Sequence, residues 1–257
     1  MTLSNDQLER YARHIILKEI GGAGQLRLLN ARVLVIGAGG LGAPLLSYLA
    51  AAGVGTIGVV DDDAVSLSNL QRQILYGTAD IGRPKTDVTH EQLQRINPDV
   101  NVVLHNLRVD DSNVDTLVEA YDIVADGCDN FRTRLTVNSA CVRHHKPLVS
   151  AAIGQFEGQL ATFKPHQKDA QGNFYPCYHC FVPETVSEEN ASCSDQGVLG
   201  ALAGVMGAWQ AVEVIKDILD LGETLAGRVL MYDALSHSTR SITLKRDPNC
   251  PTCGSKT

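Results

Sequence analysis

A glycine-rich turn is the first stretch of the sequence whose residue types and spacing suggest chemistry. Gly37, Gly39 and Gly42 give the pattern G-x-G-x-x-G directly after an apolar run. Such glycines let the backbone approach a nucleotide closely, and the helix that follows offers free N–H groups to phosphate. Asp61 ends the next apolar run, about 20 residues further on, where a carboxylate suits ribose hydroxyls. The pattern favours a nucleotide site, but NAD, FAD and ATP sites share it, and so does a tight strand–helix corner without a ligand.

Amide and basic side chains follow the acidic run Asp61-Asp-Asp63 and could surround a triphosphate. They are Asn69, Arg72, Gln73 and Lys85, and Asp129 further along the chain is available for Mg²⁺. Attack on the α-phosphate of ATP, with pyrophosphate leaving, requires charge neutralisation and positioning more than covalent catalysis. The G-x-x-x-x-G-K-S/T motif of P-loop enzymes is absent from the sequence, which excludes that class.

Two cysteine pairs give a second candidate site. Cys177-Tyr-His-Cys180 and Cys250-Pro-Thr-Cys253 are both C-x-x-C pairs. One such pair is also typical of a redox dithiol, but two pairs favour tetrahedral zinc, because each turn presents two thiolates. A site of four thiolates has no open position, so we expect a structural zinc that attaches the C-terminus to the body of the protein.

The other cysteines differ in their surroundings. Cys128 and Cys141 lie in or beside apolar elements and are expected to be core thiols. Cys193 lies in the acidic stretch 188–195, just before a predicted helix whose N-terminus could lower the pKa of a thiol. From its position alone, Cys193 is either a reactive thiol or an inert exposed one.

Composition and charge narrow the class of protein. The 257 residues are 44% hydrophobic and 20% charged, as in ordinary soluble globular proteins. A net charge of −7 argues against nucleic acid or an anionic membrane as the main partner. The N-terminus lacks a signal-peptide pattern, and the most apolar segment, residues 197–212, is shorter than the ~20 residues of a membrane span. We therefore expect a cytoplasmic protein with reduced thiols and with no membrane or nucleic-acid partner.

The order of apolar and helical segments predicts an α/β fold. Apolar runs at 33–36, 56–60, 100–104, 123–125 and 148–150 alternate with helical patterns. Repeated β–α units predict a Rossmann-like, doubly wound, mostly parallel sheet. Strands predicted at 159–164, 228–232 and 240–244, with a long helix starting near Gly197, add an antiparallel extension. We expect one domain over residues 1–257, with a nucleotide-binding half at about 30–150 and a zinc-binding half at about 151–257.

The N-terminal segment is predicted to be an amphipathic helix. Ser4-Asn-Asp-Gln7 is a capping-box pattern, and the helical pattern continues to Ile15. Arg10 and Arg13 lie on this helix, and from the residues alone they are expected on a solvated face. The run Gly21-Gly-Ala-Gly24 is expected to break the helix before a short second one.

Taken together, these segments resemble the MoeB/ThiF family, bacterial relatives of the adenylation domain of ubiquitin-activating enzymes. The similarity covers nearly the whole chain and is carried by Arg10-Tyr-Ala-Arg13, Gly37-Ala-Gly-Gly-Leu-Gly42, Asp61-Asp-Asp63, Leu67-Ser-Asn-Leu-Gln-Arg-Gln73, Arg83-Pro-Lys85, Cys128-Asp-Asn130 and both C-x-x-C pairs. The resemblance implies an enzyme that adenylates the C-terminal Gly-Gly carboxylate of a small ubiquitin-like sulfur carrier protein. Sulfur transfer to the acyl-adenylate would then give a thiocarboxylate.

The resemblance also implies the site residues by position. The ATP-binding set would be Gly37, Gly39, Gly40, Asp61, Asp63, Ser68, Asn69, Leu70, Gln71, Arg72, Gln73, Lys85, Asp129 and Asn130. Within it, Asn69, Arg72 and Lys85 would contact the phosphates, and Asp129 with Asn130 would hold Mg²⁺. The zinc ligands would be Cys177, Cys180, Cys250 and Cys253.

Two further catalytic roles are implied only by the resemblance. Arg13 would reach across a homodimer into the ATP site of the partner, which replaces the solvated-face interpretation. Cys193 falls where some family members carry a thiol that joins the carrier, whereas others release the adenylate without it. The stretch Glu184–Gln196 would cross over the carrier's tail, which the second half of the chain would bind.

The pathway and the sulfur source follow from the same resemblance. Because the sequence ends shortly after Cys253, we expect sulfur to come from a separate donor protein, such as a cysteine desulfurase or a rhodanese. Molybdopterin biosynthesis is favoured, with the thiazole carrier of thiamine biosynthesis as the alternative. Outside this family, an NAD- or FAD-binding Rossmann oxidoreductase and an inactive interaction module are the remaining alternatives. The joint presence of Arg72, Lys85 and Asp129 argues against the inactive module.

Overall fold

A continuous sheet runs through both halves of the sequence. The computed structural model describes residues 2–182 and 197–254. Its strands are β1 (Arg32–Ile36), β2 (Thr56–Val60), β3 (Asn101–His105), β4 (Ile123–Asp126), β5 (Leu148–Ile153), β6 (Glu157–Phe163), β7 (Arg228–Asp233) and β8 (Ser238–Thr243). They pair in the order β3-β2-β1-β4-β5-β6-β7-β8. The first five strands are parallel and the last three are antiparallel, which confirms the predicted Rossmann-like sheet with an antiparallel extension.

Helices cover both faces of this sheet. They are α1 (Asn5–Arg10), α2 (Ala12–Ile15), α3 (Gly21–Asn30), α4 (Gly42–Ala52), α5 (Lys85–Ile96), α6 (Val114–Glu119), α7 (Phe131–Arg143), α8 (Tyr178–Phe181) and α9 (Gly200–Leu219). Short 3-10 turns lie at Leu67–Asn69 and Thr78–Asp80. The predicted helices and strands are confirmed within a few residues, and β5 extends three residues beyond the predicted end. Within the described ranges, no helix combines the length and apolarity needed to cross a membrane.

The core lies on both sides of the parallel strands. In β1, Val33 and Val35 pack into the cluster that includes α4 and α9, whereas Leu34 and Ile36 pack into the cluster that includes α6 and α7. Successive side chains of a strand point to opposite faces, so a strand with helices on both faces needs an unbroken apolar run. This is why the central strands were predictable from continuous rather than alternating apolar residues.

The predicted break before a short second helix is present, but it lies at residues 16–20, between α2 and α3, and not at Gly21-Gly-Ala-Gly24. These glycines form the first turn of α3, and Gly24 is buried against Ile20, where a Cβ would lie 3.0 Å from Cγ2 of that side chain. An earlier interruption of the N-terminal helix lies at Tyr11, between α1 and α2. The predicted capping box at Ser4 is present. The Tyr11 ring is buried and its hydroxyl accepts a hydrogen bond from the Asn97 side chain at 2.8 Å. A tertiary contact of this kind has no local sequence signal.

Candidate functional site

A cleft of about 970 Å³ opens at the carboxyl ends of β1, β2 and β4. Open α/β sheets bind ligands at this edge. Most of the predicted nucleotide-binding residues line it: Gly37, Gly39, Gly40, Asp61, Asp63, Ser68, Asn69, Gln71, Arg72, Gln73, Lys85, Asp129 and Asn130. The fold therefore brings residues that are far apart in sequence to one place.

The glycine turn is shaped by close backbone contacts. Gly37 has a φ of +89°, and its N–H donates to the carbonyl of Val60 at 2.8 Å. A Cβ on Gly42 would lie 2.0 Å from the carbonyl oxygen of Gly37. The left-handed backbone at Gly37 and the lack of space at Gly42 both favour glycine. The turn consequently leads from β1 into α4 along the wall of the cleft.

Asp61 is held at the end of β2 by backbone hydrogen bonds. Its carboxylate accepts N–H groups from Ala38 at 2.8 Å and from Asp63 at 2.9 Å. Burial raises the pKa of Asp61 above its ordinary value, and the nearby charge of Lys85 and both N–H bonds partly oppose this shift. The carboxylate thus links the glycine turn to β2 and has a fixed orientation.

Lys85 is a buried cation in the wall of the cleft. Its side chain is 3% exposed, and its ammonium lies 2.7 Å from the Asp63 carboxylate and 3.9 Å from that of Asp61. A buried ammonium needs such partners because it has lost its water. A phosphate in the cleft would offer Lys85 a further anionic partner.

The segment after Asp63 places Arg72 on the cleft. The Arg72 guanidinium donates to the side-chain oxygen of Asn69 at 3.0 Å and to the carbonyl of Ser68 at 3.2 Å. Two hydrogen bonds restrict the rotamer of a long side chain, which reduces the entropy lost on binding a ligand. Arg72 and Asn69 therefore act as one prearranged group.

Two neighbours of Arg72 differ in their environment. Gln73 is 4% exposed and lines the cleft, and its Oε1 atom has no hydrogen-bond partner in the described part of the chain. Leu70, by contrast, packs against Val65, Tyr76 and Val88. Leu70 is not among the residues that line the cleft, unlike the other predicted nucleotide-binding residues.

Asp129 and Asn130 lie in the turn between β4 and α7. Asp129 is exposed, and no ion pair involves its carboxylate within residues 2–182 and 197–254. A carboxylate oxygen is the kind of ligand that Mg²⁺ prefers. The Asn130 side-chain oxygen, however, accepts the N–H of Thr133 at 2.8 Å as the N-cap of α7. Of these two side chains, Asp129 therefore offers the unengaged oxygen, and Asn130 shapes the turn.

Two predicted catalytic residues remain, Arg13 and Cys193. Arg13 is exposed on α2 and is not among the lining residues. Cys193 and the whole stretch Glu184–Gln196, which was predicted to cross over the carrier's tail, lie outside the described residues. Cys141 is buried as expected, whereas Cys128 is only partly buried and lines the cleft.

Sequence reasoning missed several lining residues, among them Arg108, Arg134, Glu157, Gln159 and Tyr178. Most lie on segments that approach the cleft only in the folded chain. The sequence contains a signal for Arg134, because its spacing from Val137 and Cys141 places it on the same apolar face of a helix, the buried face of α7. A charged residue on an apolar face usually has a specific partner.

The four paired cysteines converge in a second site. Their sulfur atoms all lie within 4.8 Å of one another. The Cys177–Cys250 sulfur distance is 3.7 Å and the Cys180–Cys253 distance is 3.5 Å. These are too long for disulfides. They are close to the ~3.8 Å edge of a tetrahedron with metal–sulfur bonds of about 2.3 Å.

Groups around the cysteine cluster are suited to thiolates. The Asn138 amide nitrogen lies 3.6 Å from the sulfur of Cys177, and the backbone N–H of Asp247 lies 3.4 Å from the sulfur of Cys180. N–H donors stabilise negatively charged sulfur and orient metal ligands. His179, between the first pair, bonds instead to the Thr252 hydroxyl at 2.8 Å and so connects the two C-x-x-C turns.

Comparisons with known proteins agree with this architecture. The sequence profile of the ThiF family matches residues 11–252. The chain is 46% identical over 255 residues to a Thermus thermophilus protein named sulfur carrier protein adenylyltransferase, covering 99% of this chain and 93% of that protein. It is 47% identical to the SAMP-activating enzyme E1 of Haloferax volcanii, covering 99% and 92%. It is 48% identical to the probable adenylyltransferase/sulfurtransferase MoeZ of Mycobacterium tuberculosis, covering 97% of this chain and 63% of that protein.

Solved structures share the fold. Escherichia coli MccB, crystallised with a MccA-N7isoASN ligand, superposes with a TM-score of 0.83 at 25% identity, over 98% of this chain and 76% of that one. MccB with ATP gives a TM-score of 0.80 at 26% identity, over 95% and 74%. A doubly wound sheet with a glycine turn, an acid at the end of β2 and a cleft at the carboxyl edge defines a nucleotide-binding class of protein. Within that class, this chain belongs to the ThiF family.

Proposed function

We propose that this protein uses ATP to adenylate the C-terminal carboxylate of a small ubiquitin-like sulfur carrier that ends in Gly-Gly. The observation that carries the proposal is the convergence of Arg72, Lys85 and Asp129 on one cleft beside the glycine turn. The Thermus thermophilus relative is named a sulfur carrier protein adenylyltransferase, which agrees with this proposal. The Gly-Gly end of the carrier is what the MoeB/ThiF resemblance implies.

In the reaction, a carboxylate oxygen of the carrier attacks the α-phosphorus of ATP. A new oxygen–phosphorus bond forms, the bond to the bridging oxygen of pyrophosphate breaks, and the products are an acyl-adenylate and pyrophosphate. Arg72 and Lys85 would neutralise the charge that develops on the transferring and leaving phosphates. The rigid Asp61 carboxylate would accept hydrogen bonds from the ribose hydroxyls. No covalent enzyme intermediate is needed for this step.

The residues present fit two metal ions. Asp129 offers an unengaged carboxylate oxygen where Mg²⁺ would offset phosphate charge, which is the chemistry that ion supplies to nucleotide reactions. Four sulfurs within 4.8 Å of one another, with N–H donors around them, fit a structural Zn²⁺ held by Cys177, Cys180, Cys250 and Cys253. The zinc would stabilise the C-terminal segment and take no part in the reaction.

The first experiment is ATP–pyrophosphate exchange with radiolabelled pyrophosphate, in the presence of molybdopterin-type and thiazole-type carriers in turn. Exchange that depends on the first carrier is expected, because we favour the molybdopterin pathway. Exchange with the thiazole carrier alone would move the enzyme to thiamine biosynthesis, and exchange with both would mean a shared activator. Tight NADH binding without ATP binding would instead support an oxidoreductase. A folded protein that shows neither exchange nor nucleotide binding would contradict the proposal.

We further propose a homodimer in which Arg13 of each chain completes the ATP site of the other. Its exposure in the single chain, away from the cleft, is compatible with this role. The test mixes Arg13→Ala and Lys85→Ala subunits after dissociation. Random mixing would make half of the dimers heterodimers, and each heterodimer would have one intact site out of two. Complementation in a shared site would therefore restore about a quarter of wild-type activity. If activity stays at the level of the separate variants, Arg13 does not act across an interface.

The sulfur-transfer step is proposed to use a separate donor protein, such as a cysteine desulfurase or a rhodanese, whose persulfide would pass its outer sulfur to the Cys193 thiol. The Cys193 persulfide would attack the acyl-adenylate with release of AMP, and a thiol reductant would then cleave the sulfur–sulfur bond and release the thiocarboxylate. Because adenylation precedes this step, Cys193→Ala should leave pyrophosphate exchange intact and reduce thiocarboxylate formation. Loss of exchange in a folded Cys193→Ala protein would contradict this division between the two steps. Cys128→Ala is the matched control, since Cys128 lines the cleft but has no proposed role in sulfur transfer.

A further inference from the structure

The turn that carries Asp129 is held by one buried arginine. Arg134 of α7 is 6% exposed. Its guanidinium donates to the Asp126 carboxylate at 3.2 Å, to the Ser150 hydroxyl at 2.9 Å and to the Ala151 carbonyl at 2.8 Å. It also donates to the carbonyl oxygen of Cys128. One side chain therefore connects both the start and the middle of the turn to β5.

Other hydrogen bonds fix the start of the same turn. The Asp126 carboxylate is fully buried and accepts the Cys128 N–H at 2.9 Å and the Ser150 hydroxyl at 3.1 Å. Gln210 of α9 donates to the Asp126 carbonyl at 2.9 Å. The backbone up to Cys128 is thus restrained from α7, β5 and α9. The next residue, Asp129, is exposed on the cleft.

We propose that Arg134 is a positioning residue for adenylation, an inference that rests on the proposed function. By holding the Cys128 carbonyl, Arg134 fixes the peptide that precedes Asp129 and so the approach of that carboxylate to the phosphates. The planar guanidinium fork can bond to carbonyls on two segments at once, whereas a lysine ammonium is a single point charge. The function of Arg134 therefore depends on its geometry as well as on its charge.

The test compares Arg134→Lys with Arg132→Met, a control two residues away on the exposed side of α7. Three quantities are measured: kcat and KM for ATP in pyrophosphate exchange, the Mg²⁺ dependence of ATP binding by calorimetry without carrier, and the unfolding midpoint. For Arg134→Lys we expect kcat to fall by about 30-fold, and the Mg²⁺ concentration for half-maximal ATP binding to rise by about 5-fold. Binding of ATP without Mg²⁺ should be unchanged, and Arg132→Met should behave as wild type.

Three outcomes would overturn the inference. Wild-type kcat and Mg²⁺ dependence in Arg134→Lys would show that charge alone suffices. A rise in KM for ATP alone, with unchanged Mg²⁺ dependence, would make Arg134 a direct nucleotide contact. If Arg134→Lys does not fold, Ser150→Ala removes one partner of the guanidinium, and an unchanged Mg²⁺ midpoint in that variant would also overturn the inference.

The same measurements separate this inference from the proposed function. A wild-type protein that binds Mg²⁺ and ATP but shows no exchange with any carrier would contradict the proposed function. In that case the Mg²⁺ dependence of ATP binding still decides the role of Arg134. If wild type shows exchange and Arg134→Lys matches it in every readout, only the positioning role fails.

Discussion

The cleft and the cysteine cluster are assembled in different ways. The cleft draws its side chains from β1, β2, β4 and the segments that follow them, and a buried hydrogen-bond network orients those side chains. The cysteine cluster is formed by two short turns, Cys177–Cys180 and Cys250–Cys253. The helix in the first turn, α8, has only four residues. Short segments bury little apolar surface of their own. The difference supports the proposal that the protein itself maintains the cleft, whereas the cluster would need a metal to hold its segments together.

The largest expected effect is loss of activity without loss of fold when a charged residue of the cleft is removed. Arg72→Ala or Asp129→Ala should lower pyrophosphate exchange by about 100-fold or more, because each removes a group aimed at the reacting phosphates. The unfolding midpoint should stay within about 2 °C of wild type, since neither side chain is part of the core. Arg132→Ala on α7 is the control. Near-normal exchange in a folded variant would remove that residue from the site.

Metal removal should have the opposite effect, a loss of stability with nucleotide binding retained. Chelation, or Cys250→Ser, is expected to lower the unfolding midpoint by about 5–10 °C, as a loss of a few kcal/mol would do in a chain of this size. Nucleotide binding at low temperature should persist, because the cleft has its own hydrogen-bond network. Metal analysis should find about one zinc per chain in wild type and almost none in the variant. An unchanged midpoint after complete metal loss would contradict the proposed dependence.

A smaller effect, on stability, is expected from Asn130, the N-cap of α7. Asn130→Ala removes the N-cap of α7 and should destabilise the protein by about 1 kcal/mol, seen as a midpoint about 2–4 °C lower. Asn130→Asp keeps an oxygen that can accept the Thr133 N–H and should retain most of that stability. Thermal unfolding of both variants checks this expectation. Equal losses in the two would mean that the cap is not what Asn130 contributes.

The smallest effect is expected just outside the cleft. Arg83 is two residues from Lys85, but it forms exposed ion pairs with Asp80 and Glu91. Exposed pairs contribute little to stability, so Arg83→Met should leave both exchange and unfolding unchanged. Lys85→Met, in contrast, should abolish exchange. A comparable loss in Arg83→Met would extend the site beyond the cleft defined here.

Sequence reasoning succeeded where the signal is local or continuous. The glycine turn, the central strands and the cysteine pairs follow from backbone sterics, two-sided burial and metal-ligand spacing, and the structure brings them together as predicted. Gly24 in the first turn of α3 was mispredicted because its close packing against Ile20 has no signal in helix propensity. Leu70 could not be told from its neighbours, because only the folded turn shows which side chains face inward.

The hydrogen-bond network behind the cleft was the least predictable part. Arg134, Ser150 and Gln210 are distant in sequence, and their shared contacts with one turn exist only after β4, β5, α7 and α9 have come together. No spacing rule links them.

The strand order has a consequence for how the molecule fluctuates. β1 and β4 lie between other strands with both faces covered by helices, so their amide hydrogens should exchange with solvent only through unfolding of the whole chain. β8 pairs on one side only, and every one of its residues is exposed. Its amides should exchange far faster, through local opening. The cleft therefore lies on the strands whose amides should exchange most slowly. Local opening of β8 should leave those strands, and so the cleft, unchanged.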